Sequence, residues 1–152
     1  MSFTNNQVCI YDHLGGADCF DFHPLESILA YDGGSCVMLW DITEDLKVRL
    51  HEHRNPVKLI SFFGEQHRFL LSVDSGPSQT IFISEWAVAK RVAELDLPRK
   101  NGQKYLTKDM TMRYCDLTRM MYILENLEDG YRIVILTFKE FSVPLLFYNL
   151  QA

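Results

Sequence analysis

An all-β fold is what this sequence predicts, and three observations predict it. Most of the 152 residues fall into short runs rich in β-branched and aromatic residues, separated by Gly, Asp, Ser and Pro. No 3.6-residue apolar period persists long enough to make a helix. A spacing also repeats: Phe22 follows His13 by nine residues, Phe62 follows His53 by nine, and the two histidines are 40 apart. An internal period of that length, filled by four short strands, is the mark of a propeller blade. The expected architecture is a partial β-propeller of four-stranded antiparallel blades.

Along the chain, residues 7–12 give a leading strand, QVCIY. Residues 13–54 give a first blade, with ADCFDF, SILAY, CVMLW and VRL as its strands. Residues 55–98 give a second, from VKLISFF, RFLLSV, TIFISEW and RVAEL. The polar stretch 99–104 is an insertion loop. Residues 105–152 give a degenerate third blade, from TMRYCD, RMMYILEN, YRIVILTF and PLLFYNL. Gly33-Gly34, Ser75-Gly76-Pro77 and Asp129-Gly130 stand where hairpins must turn, because Gly accepts positive φ and Pro presets its own. Phe20, Phe22, Phe62, Phe63, Phe69 and Phe82 alternate along strands, which predicts core positions.

Charge and composition narrow the function. A formal net charge of -5 lacks the Lys and Arg excess that displaces counterions from phosphate backbones, so nucleic acid is not an expected partner. The polar N-terminus predicts neither a signal peptide nor a membrane anchor, and Arg132, Lys139, Glu140 and Pro144 interrupt the most apolar stretch. Cys9, Cys19, Cys36 and Cys115 have no close paired spacing and lie in apolar runs. They read as buried reduced thiols in a reducing compartment, cytoplasmic or nuclear.

The stretch from His13 to Ile42, HLGGADCFDFHPLESILAYDGGSCVMLWDI, resembles a WD repeat: a His before the first strand, a strand exit through Pro, a turn, and a strand ending in Trp40-Asp41. EHRNPVKLISFF resembles the opening of the next. The resemblance covers 7–98 closely and 105–150 in strand order, with Tyr105 at the His position, Tyr114 at the Phe position and Phe138 as the nearest stand-in for Trp. It implies that a His, a Ser or Thr, an Asp and a Trp form a relay that staples each blade. On that basis His13, Asp32 and Trp40 are assigned to the first blade, with Asp32 displaced because Gly34 holds the usual Asp position. His53, Ser72 and Asp74 are assigned to the second, where Ser84 holds the Trp position and Trp86 lies two residues on; either could fill it.

Chemistry-bearing residues also have structural readings. His13, Asp74 and nearby serines could be drawn as a triad, but no nucleophile elbow accompanies them. His51 and His53 would share a strand face and, with Glu52 and His67, suggest a metal site; His53 is claimed by the repeat frame and His51 reads as solvated. No catalytic residue, metal site or cofactor is expected. Arg99, Lys100, Lys104 and Lys108 form the one basic patch, a candidate contact loop for acidic protein surfaces.

The expected function is a non-catalytic scaffold for protein–protein interaction, with a structural role in the ciliary or flagellar axoneme as the alternative and an enzyme or metal-binding module as a third reading. Three blades leave two ends to cover. A longer parent chain, a partner subunit or a closed oligomeric ring could cover them, and the leading strand favours the first.

Overall fold

A computed structural model of the chain describes residues 19–75, 79–96, 105–127, 130–138 and 145–151. Among the described residues, twelve strands form three antiparallel sheets of four, each a simple meander in sequence order. The first holds β1 (Phe20–Phe22), β2 (Ile28–Asp32), β3 (Cys36–Asp41) and β4 (Leu46–Glu52). The second holds β5 (Val57–Phe63), β6 (Phe69–Asp74), β7 (Thr80–Glu85) and β8 (Lys90–Asp96). The third holds β9 (Tyr105–Cys115), β10 (Met120–Leu127), β11 (Gly130–Phe138) and β12 (Leu145–Gln151). The molecule is an all-β partial propeller. No α-helix occurs among the described residues, and none of their helical turns is long and apolar enough to cross a membrane.

Strand registers align the three blades residue by residue. One rung runs Phe22, Leu29, Trp40, Lys47; its counterparts run Phe62, Leu70, Ser84, Arg91 and Tyr114, Met121, Leu136, Phe147. The third blade therefore sets Leu136, not Phe138, at the position of Trp40. The sequence reading was two residues off, because LTF offered an aromatic near the strand end and the hairpin register was not visible.

Residues paired across a ladder share a sheet face, so each rung also defines which way a blade looks. Ala30, Val37 and Leu39 of the first blade meet Val57, Ile60, Phe62 and Leu70 of the second. The other face of the second blade, through Phe63, Leu71, Val73, Ile81 and Ile83, meets Met112, Met121, Ile123, Val134 and Leu136 of the third. The rung residues thus face the preceding blade, and their strand neighbours face the following one. The innermost strands β1, β5 and β9 lie side by side and line a cavity of about 290 Å³ bounded by Cys19, Phe20, Leu59, Ile60, Thr111, Met112 and Arg113.

Not every aromatic predicted to be core is core. Phe62, Phe63 and Phe82 are buried and Phe69 is half-buried, but Phe20 and Phe22 are exposed. Alternation placed them on the correct face; that face of the first blade has no preceding sheet among the described residues.

A four-residue turn recurs, between the third and fourth strands of the first two blades and between the first and second strands of the third. The connections 42–45, 86–89 and 116–119 each span four residues and end on a left-handed residue, Asp45 (φ 53), Ala89 (φ 52) and Arg119 (φ 55). At the opposite end of the first blade, Gly34 has φ 99 and donates its N–H to the Asp32 carboxylate at 2.6 Å, which fixes the Gly33-Gly34 turn. The leading strand 7–12 and the insertion loop 99–104 lie outside the described residues.

Candidate functional site

The strongest concentration of polar chemistry lies between the first two blades. On β6 and β7, alternation sends Ser72, Asp74, Phe82 and Ser84 toward the first blade. His51 at the end of β4 and His53 just after it reach them from the other side. His51 arrives there by a bulge: Val37 pairs with His51 and Met38 with Arg49, so Leu50 is an extra residue. Strict alternation would put Arg49 and His51 on one face. With the bulge, Arg49 looks outward with Met38 while His51 looks inward with Val37. The expectation of a solvated His51 is thereby overturned; the ring is fully buried.

Five side chains form one continuous chain. Asp74 Oδ2 lies 3.2 Å from His53 Nδ1, and His53 Nε2 lies 2.7 Å from Ser72 Oγ. Ser72 Oγ is also 2.7 Å from His51 Nδ1, and His51 Nε2 is 2.6 Å from Ser84 Oγ. One assignment of hydrogens satisfies every member of the network. A carboxylate only accepts, so His53 Nδ1 carries the hydrogen toward Asp74. With His53 neutral, its Nε2 accepts from the Ser72 hydroxyl, Ser72 accepts from His51 Nδ1–H, and His51 Nε2 accepts from the Ser84 hydroxyl. Each nitrogen and hydroxyl is used, in one direction, from Ser84 to Asp74.

The surroundings hold the chain in place. Asp74 Oδ1 accepts the Thr80 N–H at 2.9 Å, and the Gln79 side-chain amide donates to the Asp74 carbonyl at 3.2 Å. The His53 N–H donates to the Ser35 carbonyl at 2.7 Å. Phe82 packs on both imidazoles, 4.5 Å from His53 and 5.8 Å from His51 between ring centroids, and the Arg91 guanidinium covers Phe82 at 4.0 Å. Burial first, and then the electrostatic influence of the neighbouring His53 imidazole and Arg91 guanidinium, lowers His51 from its usual 6.5 to about 3. The imidazole is neutral across physiological pH.

Asp74, His53 and Ser72 have the order and spacing of an acid–base–hydroxyl triad. Ser72 and Asp74 are fully buried, and the Ser72 oxygen is engaged by two imidazoles. Chemically, the arrangement holds two blades in register.

Of the other predicted relay residues, Trp40 is buried and its indole N–H donates to the Asp45 carboxylate at 3.0 Å. Asp32 is buried but pairs with Val37, on the face opposite to Trp40. Trp86 is a correction. It leaves the end of β7 as the first residue of a 3-10 turn, Trp86–Val88, and donates to the His67 carbonyl at 2.8 Å, so the Trp-equivalent rung is held by Ser84. Lys108 is a second correction, since it lies within β9 and not on a loop. His13, Arg99, Lys100 and Lys104 lie outside the described residues.

Sequence reasoning missed a second histidine cluster at the opposite end of the blades. His23 Nδ1 accepts the N–H groups of Leu25 and Glu26, both at 3.1 Å, which leaves Nε2–H to donate to the His67 carbonyl at 3.1 Å. His23 packs edge-on against Phe62 and Trp86, with centroids 5.2 and 5.1 Å away. The partners His23 and His67 are 44 residues apart, and no local motif marks them. In the third blade, Glu125 stands where the second has Asp74, four residues beyond the rung, and bonds to the buried Arg132 on the neighbouring strand, Nε donating to Oε2 at 2.6 Å and Nη2 to the same oxygen.

A comparison with protein-family models and with curated proteins finds no match for this chain.

Proposed function

We propose that this chain is a three-blade segment of a WD-type propeller that serves as a non-catalytic scaffold for other proteins. The observation that carries the reading is the sealed chain from Asp74 to Ser84. The residue types that nucleophilic catalysis uses are present and are spent on joining two blades. In a WD-type relay the fourth member is a Trp; here His51 and Ser84 together take its place, with His51 as the donor to Ser72. A rigid propeller rim, with loops free to vary, is the usual setting for recognition. The basic residues Arg99, Lys100 and Lys104 make the insertion the first contact loop to test.

Two measurements test this reading. A fluorophosphonate probe should leave Ser72 unlabelled in the folded chain; labelling that disappears in Ser72→Ala overturns the non-catalytic assignment. Native purification should yield a stoichiometric complex with another protein, lost when Arg99, Lys100 and Lys104 are changed to Glu. A complex that survives the triple change removes the loop from the proposal.

A further inference from the structure

The outer strand of the first blade carries two rows of side chains that the second blade does not repeat. β4 is the last strand of its sheet, so one of its backbone edges has no strand beside it among the described residues. Leu46, Lys47, Val48 and Arg49 are all exposed. The ladder assigns their faces: Lys47 and Arg49 pair with Trp40 and Met38 on the rung face, whereas Leu46 and Val48 pair with Asp41 and Leu39 on the face that looks toward the second blade. One row is therefore basic and the other aliphatic. In the second blade the positions of Leu46 and Val48 hold Lys90 and Ala93, and Ala93 packs against the cluster shared with the third blade. Leu46 is 63% exposed and Val48 52%, although Leu39, beside Val48, is buried against the second blade. The charges of the basic row are accessible too. Lys47 Nζ lies over the Trp40 ring at 5.2 Å, and the Arg49 guanidinium meets Glu52 at 3.3 Å in an exposed pair that costs little to break.

We propose that the free edge of β4 receives an extended segment of another protein, paired as an added strand, whose residues alternate between acidic and aliphatic. The backbone N–H and C=O groups of the edge supply the hydrogen bonds, and the two rows select the partner. An added strand sets every second side chain beside Lys47 and Arg49 and the others beside Leu46 and Val48. Acidic residues satisfy the first row, and aliphatic ones cover the second. The same basic row repels β4 of a second copy, which keeps the edge from pairing with itself. Regular alternation ends at the extra residue Leu50, so the match covers residues 46–49 and the recognised motif is correspondingly short. The proposal goes beyond the scaffold reading. It rests on the register of the first blade and needs neither the loop 99–104 nor an inert Ser72.

A short fluorescein-labelled peptide alternating Glu and Val, titrated with the full chain and read by anisotropy, tests it. A peptide of the same composition with Glu and Val in two blocks is the control, and one alternating Lys and Val is the charge-reversed probe. The Glu-Val peptide should bind saturably and slow amide exchange at residues 46–49, and the block peptide should not. Lys47→Glu with Arg49→Glu should keep the wild-type circular dichroism, weaken the Glu-Val peptide about tenfold, since two opposite-charge cross-strand pairs become like-charge pairs, and accept the Lys-Val peptide in its place. Val48→Lys, which leaves the basic row intact, should also weaken binding. No saturable binding, equal binding of the block peptide, unchanged affinity in either variant, or protection confined to another strand overturns the proposal. Self-association of the chain that Lys47→Glu with Arg49→Glu abolishes overturns it in favour of a second copy, whose β8 alternates Ala93 and Leu95 with Glu94 and Asp96. None of these outcomes bears on Ser72 labelling.

Discussion

His51 shows how a single residue can be both the least legible in the sequence and the most informative in the fold. His53, Ser72 and Asp74 follow from the repeat frame, because position relative to Phe62 defines them. His51 does not, since a period of two predicts it on the solvent face and only the extra residue at Leu50 turns it inward. Its burial makes stability depend on pH. The unfolded imidazole takes a proton near 6.5 and the folded one near 3, so between those values the unfolded state binds one proton more and stability falls as pH falls. The slope is about 1.4 kcal/mol per pH unit for one such group. Urea unfolding should therefore show wild type losing roughly 2 kcal/mol more than His51→Gln between about pH 6.5 and pH 5. Parallel losses in the two proteins would mean that His51 titrates normally.

At the scale of strands and turns, the order of elements was legible and the register was not. Alternation and turn residues gave four strands per blade, and the spacing from His53 to Phe62 aligned two of them. Choosing among Ser84 and Trp86, or Leu136 and Phe138, needs the hairpin ladder, because a shift of two residues leaves the face unchanged and the sequence pattern satisfied. The four-residue turns offer a cleaner test of local physics. Asp45, Ala89 and Arg119 all sit in the left-handed region, which costs an L-residue roughly 1 to 2 kcal/mol and costs Gly little. Asp45 is compensated as the acceptor of the Trp40 indole, whereas Ala89 brings no side-chain acceptor. Ala89→Gly should stabilise the chain by up to about 1 kcal/mol, seen as a rise of several degrees in Tm. A lower Tm would show that chain entropy outweighs the relief of strain at that turn.

Taken as a whole, the molecule is a stack in which the middle member is held on both sides. Leu70, Leu71, Val73, Ile81 and Ile83 of the second blade are all buried, so the amide protons of β6 and β7 should exchange most slowly and those of β1 among the fastest. Slowest exchange in β2 and β3 instead would place the stable nucleus in the first blade. The two seams of this stack also differ in kind. Across the first, His51 bonds to Ser72 and Ser84, and the Asp21 carboxylate accepts the Phe62 N–H at 2.8 Å. Those bonds have direction, and displacing one blade by a residue would leave buried partners unmet. At the second seam the contact among the described residues is an apolar cluster of aliphatic, methionine and aromatic side chains, with Phe63 5.5 Å from Tyr114 between ring centroids, and the carboxylate of Glu125, at the place of Asp74, bonds to Arg132 of its own blade. Apolar contact has no direction of its own. In mechanical terms the first seam is a keyed joint and the second a lubricated one: under load, the third blade should slide or swing while the first two move as a single rigid plate.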